Sequence, residues 1–451
     1  MVLVLAFAAL SATLLASTAA AADNFFIAAE APDYNNKVVG ELLANVSSVR
    51  KPGEAYAVFD WDNTCMFGDI SYTSVYYQVD NLNFRFDPED FESIFSLGYN
   101  ASSSDICLPN GTDSVLAQDV NGEDVTFATL LSETAKDYKV LYESYIAPTY
   151  NLSSSYSASD VTLDEIKETT EFLNFRAKIG LMLFSLEGMN GGDDHAQCAM
   201  RNAARVLTLL LVGMTDEEIK IFIRSSIRWN LGQALEEPTY ISSGDLAVEG
   251  SYTKGLRLFN GQETTMRALR AAGIDVYVIS ASPELFTAEA ANLLGLGNMV
   301  PKDNVFGVRF KSDNAGLFTG ELVDNYPVTW GPGKATIVTS ILKEIHHGAA
   351  PIYASGDANG DCEMLGTVRD GVVDTNNRLK DDTSCINGFY QKACEYFGTT
   401  EPITNNHYLL QGQDQVIGTW ITSGFSTKDG VKYESAVTDN DNCAAYQFLD
   451  L

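Results

Sequence analysis

The sequence predicts an α/β protein: a doubly wound parallel sheet with a large, mostly helical cap inserted after its first strand. Three observations carry this. Short apolar runs end in polar residues at 56–60, 275–280 and 351–357. Helical patterns alternate with the later runs, and strands alternating with helices build a parallel sheet whose ligands sit outside the carboxyl ends of the strands. Between the first two runs, residues 70–255 carry helix-start signatures and add none of the polar strand ends.

The elements follow in chain order. Residues 2–15 are nearly all apolar, the first charged side chain is Asp23, and 19–22 are all alanine. This is the pattern of a signal peptide cut near Ala22. It lacks a basic leader, and the competing reading is an uncleaved anchor, since 22 residues could span a bilayer. The core is expected at 23–69 and 256–451, and the cap at 70–255. In the cap, residues 70–82 read as an amphipathic helix rich in tyrosine. Residues 100–160 are rich in Ser, Asp and Asn and read as long exposed loops. Thr162-x-x-Glu165 and Thr215-x-x-Glu218 are capping boxes, and Gly213 ends a helix over 203–212. After the cap come helix 262–272, strand 276–280, and helix 284–294 stopped by Gly295. A hairpin of 305–310 with 317–322, helix 334–344 and strand 352–355 follow.

The chemistry begins at Asp60-Trp61-Asp62-Asn63-Thr64, directly after Tyr56-Ala57-Val58-Phe59. Two carboxylates one residue apart at a strand end repel unless a cation or proton lies between them. A hard divalent ion with oxygen ligands, Mg²⁺, answers that need, although an Asx turn has the same spelling. Three later segments add to it. Ser280 ends a second strand, Lys334 opens a helix in Gly331-Pro332-Gly333-Lys334, and Gly356-Asp357 ends a third strand with Asp361 four residues on.

Taken in order, these resemble the four-motif signature of the haloacid dehalogenase superfamily of phosphohydrolases. The resemblance implies Asp60 as the nucleophile that carries the phosphoryl group and Asp62 as the general acid and base. It implies Thr64, Ser280 and Lys334 as phosphate ligands. Mg²⁺ would be held by Asp60, Asp357, Asp361 and the backbone carbonyl of Asp62. Individually, Ser280 reads as a strand-end cap, Lys334 as a solvated helix residue and Asp361 as a turn residue; the ordered set distinguishes them. Dehalogenases of the superfamily lack the second aspartate, so Asp62 argues against that chemistry. Residues 59–69, 77–82, 227–230, 274–282, 326–334 and 408–414 further resemble the phosphorylcholine phosphatase-like branch of the phosphoserine phosphatase group. A choline head would favour an aromatic cage, for which Tyr72, Tyr76, Tyr77 and Trp229 are candidates, although aromatics at helical spacing also build core. The 100–160 region has no match in that branch.

Other motif readings fail. Gly333-Lys334 lacks the hydroxyl residue and upstream glycine of a phosphate-binding loop, and the glycine after Asp357 is misplaced for a calcium loop. The four histidines have no metal-ligand spacing. A net charge of −31 excludes general affinity for nucleic acid or anionic membrane, and no run after the leader is long and apolar enough for stable membrane insertion. The leader, the sequons at Asn45, Asn100, Asn110 and Asn151, and seven cysteines are consistent with a secreted, glycosylated, disulfide-containing protein, or a periplasmic one in a Gram-negative source. Cys385 with Cys394 could close a local loop, and Cys107 with Cys198 could tie the cap. The expected function is a secreted Mg²⁺-dependent phosphomonoesterase acting on a small phosphate ester, with phosphorylcholine named by the resemblance. The alternatives are a phosphotransferase of the same fold and a catalytically silent secreted glycoprotein.

Overall fold

The computed structural model describes residues 28–49, 53–97, 108, 110–146, 162–188, 196–378, 384–397, 405–428 and 431–432. The expected leader, Asn100, Asn151, Cys107 and Cys443 lie outside them, as does the side chain of Cys198. Along the chain, helix α1 (Asp33–Val49) precedes strand β1 (Tyr56–Phe59). Helices α2 (Ile70–Asp80), α3 (Phe127–Leu141), α4 (Thr170–Gly188) and α5 (Asp216–Leu231) follow. Helix α6 (Asn260–Ala271) leads to β2 (Asp275–Pro283), and α7 (Glu284–Leu293) to β3 (Val305–Val308). Then come β4 (Tyr353–Gly356), β5 (Val372–Asn376), α8 (Cys385–Tyr396) and β6 (His407–Gln411).

The six strands form one sheet in the order β6-β5-β4-β1-β2-β3. The pairs β1–β4, β4–β5, β5–β6 and β2–β3 are parallel. All four residues of β1 are completely buried, which is why its sequence is a continuous apolar run without alternation. From β1 the chain builds outward through β2 and β3, then returns to the other side of β1 as β4. That reversal is the switch point where open α/β sheets place ligands.

The chain divides into two compact units, residues 1–60, 259–277 and 338–451, and residues 61–258 and 278–337. In the first, Phe59 packs on Tyr353, Tyr56 stacks on His346, and Gly261 lies so close to Trp420 that a Cβ there would fall 2.2 Å from the indole. The second is largely helical. Its core joins Phe84, Phe91, Phe95, Tyr138, Phe175 and Leu183, all completely buried. Each such side chain contributes about 1.5–3 kcal/mol of burial. Both predicted capping boxes form, at Thr162 and Thr215, and Gly213 and Gly295 both adopt positive φ.

Several expectations are corrected. Residues 100–160 are not simply loops: they include a hairpin of Val115–Gln118 with Asp124–Thr126 and the 15-residue helix α3. The buried residues Phe127, Leu130, Leu131, Thr134, Tyr138 and Leu141 keep helical spacing, a signal masked by polar composition on both sides. The predicted hairpin is split: β3 joins the main sheet beside β2, and only Phe310–Ser312 pairs with Phe318–Leu322. The helix expected at 203–212 is instead Ala196–Val206, followed by a 3₁₀ turn at Leu209–Leu211. The helix at 334–344 begins at Pro332 and passes through a π segment at Ile337–Leu342. Cys385 pairs with Cys362, not Cys394, and Cys394 belongs to a different disulfide. The Asn45 and Asn110 side chains are exposed. No helix among the described residues is long and apolar enough to cross a membrane.

Candidate active site

In the first unit, three predicted residues come together. Asp60 directly follows β1, and its N–H donates to Ser355 O at 2.9 Å, extending the parallel ladder by one residue. Asp357 directly follows β4. Asp361 sits at the end of a 3₁₀ turn, Asn359–Asp361. One ligand oxygen from each of Asp60, Asp357 and Asp361 lies within 4.8 Å of the others, and all three residues are buried. Asp361 Oδ2 accepts from the N–H groups of Asp357 and Ala358, both at 3.0 Å. Gly356 is dictated by this packing, because a Cβ there would lie 2.7 Å from Asp361 Cβ. Arg378 donates from Nη1 to Asp357 Oδ2 at 2.9 Å. The three buried carboxyl groups offer oxygen donors only, which is the donor set Mg²⁺ takes.

In the second unit, Asp62 is the centre of a separate network. Its Oδ1 accepts from Ile70 N at 2.8 Å, and its Oδ2 from Ser282 Oγ at 2.7 Å and Ser280 Oγ at 3.3 Å. The Ser71 and Ser282 hydroxyls share a hydrogen bond at 2.8 Å. Burial raises the Asp62 carboxyl from 3.8 to about 6; the Ile70 N–H, the Ser282 hydroxyl, the Lys334 charge and the Ser280 hydroxyl hold it from rising further. A carboxyl that titrates near 6 can give and take a proton close to neutral pH. Asp69 caps α2, accepting from the N–H groups of Ser71 and Tyr72. Its carboxyl is pushed well up by burial and by the charge of Asp62, and burial also raises Glu187.

Lys334 is 2 % exposed. Its turn is set by Gly333, where a Cβ would collide with Val328 O at 1.6 Å. Thr64 is completely buried, within a turn that opens at Asn63 with φ of 59° and continues into Met66–Phe67, paired with Arg257–Leu258. Tyr76 is part of the helical unit's core, its hydroxyl 2.8 Å from that of Tyr240. Tyr72, Tyr77 and Trp229 are half-buried. Tyr72 stacks on Phe184 at 5.3 Å, and Trp229 packs on Tyr76 and Tyr77, each at 5.7 Å.

Sequence reasoning missed Ser282, Thr329 and Arg378. Ser282 had a signal: it lies two residues after Ser280 and so shares its face of β2. Thr329, which donates to Ser280 O at 2.6 Å, and Arg378 had none, because only folding brings them to their partners.

Residues 234–366 match the model of the haloacid dehalogenase-like hydrolase family. The chloroplastic phosphoserine phosphatase of Arabidopsis thaliana is 36 % identical over 87 residues, 19 % of this chain and 28 % of the relative. The chain thus spans little more than a quarter of that relative's length. A conserved protein of unknown function from Anaerococcus prevotii has a crystal structure that covers 90 % of this chain and 98 % of its own, with a TM-score of 0.70 at 20 % identity. It shares the fold.

Proposed function

The chain carries a haloacid dehalogenase-like hydrolase domain, and on that premise we propose that it is a phosphomonoesterase acting through an aspartyl phosphate on Asp60. The observation that carries this is the pairing of two chemistries on neighbouring residues. Asp60 belongs to a buried carboxylate triad, and Asp62 is a carboxyl raised to about 6 under four stabilising groups. Asp60, Asp357 and Asp361, with the Asp62 carbonyl, would hold Mg²⁺, which supplies positive charge to the phosphoryl oxygens. The Asp60 carboxylate attacks phosphorus and the ester P–O bond breaks. Asp62, protonated, gives its proton to the departing alkoxide. It then takes a proton from the water that cleaves the acyl phosphate, which releases inorganic phosphate and restores Asp60. Ser280, Thr64 and Lys334 hold and neutralise the phosphoryl oxygens.

The substrate we propose is a small ester with a cationic leaving group, phosphorylcholine being the candidate. The support is a group of buried carboxyls that oppose one another's ionisation: burial, and then the charges of Asp62 and Glu187, raise Asp69. A cation beside them would be favoured, and the Tyr72–Phe184 pair offers aromatic faces worth about 0.5–2 kcal/mol per cation–π contact. We propose likewise that the chain is exported through its leader and glycosylated at its sequons.

The test is phosphate release from phosphorylcholine and from an aryl phosphate, with Mg²⁺ and with EDTA, by the wild type and Asp60→Asn. Turnover should vanish in EDTA and in the variant, a loss of about 5 kcal/mol or more in barrier. Full activity in EDTA, or a variant within about tenfold of wild type, roughly 1.4 kcal/mol, would refute the mechanism. Transfer of phosphate to an added alcohol would favour the phosphotransferase.

A further inference from the structure

The turn that carries Asp361 is fastened to one helix, α8, at several points. Cys362, next to Asp361, is disulfide-bonded to Cys385, the first residue of α8, across 23 residues of sequence. Ile386 N donates to Asn359 Oδ1 at 3.3 Å. One turn further along α8, the Tyr390 hydroxyl lies 2.9 Å from Asn376 O and 3.4 Å from Asp357 O, and it accepts from Arg378 N at 3.3 Å. Arg378 in turn holds Asp357 Oδ2. Both Asp357 and Asp361 are therefore set by α8, the first through Tyr390 and Arg378, the second through the disulfide. Tyr390 is completely buried, whereas Cys385 is exposed.

We propose that the Cys362–Cys385 disulfide is a positioning element for divalent-cation binding, so that Mg²⁺ affinity follows its thiol–disulfide state. The inference rests on the reading that Asp60, Asp357 and Asp361 hold the metal. Three like charges within 4.8 Å bind a cation tightly only if their backbone is already ordered, because ordering them at the moment of binding subtracts from affinity. The disulfide shortens the free path between the Asp361 turn and α8 and removes that ordering step. Opening it is a two-electron reduction. A phosphine attacks the exposed Cys385 sulfur, the S–S bond breaks and Cys362 leaves as a thiolate that picks up a proton. Water then converts the thiophosphonium to phosphine oxide and the Cys385 thiol.

The experiment is calorimetric titration of the folded full chain with Mg²⁺: oxidised wild type, phosphine-reduced wild type, Cys362→Ser/Cys385→Ser, and Tyr390→Phe. Losing a supporting contact behind a metal ligand typically weakens binding about 10–100-fold, and the double variant and the reduced protein should both show that loss. Tyr390→Phe should move in the same direction without touching a cysteine. Reductant should add nothing in the double variant, which separates this bridge from that of Cys394. At saturating Mg²⁺, kcat of the double variant should return to the wild-type value. Mg²⁺ affinity within about twofold of wild type in both the double variant and the reduced protein would overturn the proposal, as would a kcat loss that Mg²⁺ does not rescue. If oxidised wild type itself takes up no Mg²⁺, the metal reading fails, and the inference with it.

Discussion

Removing the Ser282 hydroxyl should move the proton chemistry of Asp62 while leaving the nucleophile intact. Ser282 Oγ is the closest hydroxyl donor to Asp62, at 2.7 Å against 3.3 Å for Ser280. A hydrogen bond to a charged group is worth about 1.5–3 kcal/mol, and one pKa unit corresponds to about 1.36 kcal/mol. Ser282→Ala should therefore raise the Asp62 carboxyl by about one to two units from its position near 6, because the lost bond favoured the ionised form. In the proposed mechanism the first step needs Asp62 protonated, so the alkaline limb of kcat/KM reports its ionisation in the free enzyme. The assay is kcat/KM against pH, with an alkyl phosphate whose poor leaving group needs the proton. The limb should shift to higher pH in the variant, and the variant should be relatively more active than wild type above neutrality once both profiles are scaled to their maxima. A limb that stays within about 0.3 unit of wild type, less than a third of the expected shift, would refute the assignment of Asp62 as the acid.

Two further outcomes follow from single residues. Asp62→Asn should depress alkyl phosphate hydrolysis far more than that of an aryl phosphate with a good leaving group, since the latter needs less protonation; equal losses on a leaving-group series would remove the acid role. Asp374 is a separate case: burial raises its carboxyl from 3.8 to about 6, with the Tyr353 hydroxyl bonded to Oδ2 at 2.7 Å. Between those two values the folded chain holds more protons than the unfolded one, so its contribution to stability is present below pH 3.8 and is lost as pH rises through 6. Asp374→Asn removes that loss and keeps an acceptor for Tyr353. It should add up to about 3 kcal/mol at pH 7.5 and nothing near pH 3.5, read by denaturant unfolding at both; no gain at pH 7.5 would contradict the burial argument.

The candidate site residues were legible in the sequence because they stand at strand ends and a helix start in an order that resembles the haloacid dehalogenase motifs. An apolar run without alternation announces a central strand, and the polar residues Asp60, Asp62, Ser280 and Asp357 at such ends were singled out by that ordered set rather than by local geometry alone. Gly333 and Gly356 stand beside Lys334 and Asp357 in sequence, but the close backbone approaches that require them appear only in the fold. Helix starts at Thr162 and Thr215 were local, since a capping box spans only four residues. What could not be read depends on residues far apart in sequence. Arg378 reaches Asp357 across 21 positions, and Cys385 finds Cys362 rather than Cys394, its neighbour on the same helix, because α8 presents its first residue, not its tenth, to the Asp361 turn. The titration of Asp62 near 6 likewise comes from burial beside Ile70, Ser282 and Ser280, an environment assembled from two separate elements, α2 and β2. Sequence alone thus determined the candidate side chains and their order. The tertiary structure decided the titration of Asp62, the supports of the carboxyls and which cysteines meet, since burial and long-range packing set local dielectric and distance, and neither is encoded in any short stretch of chain.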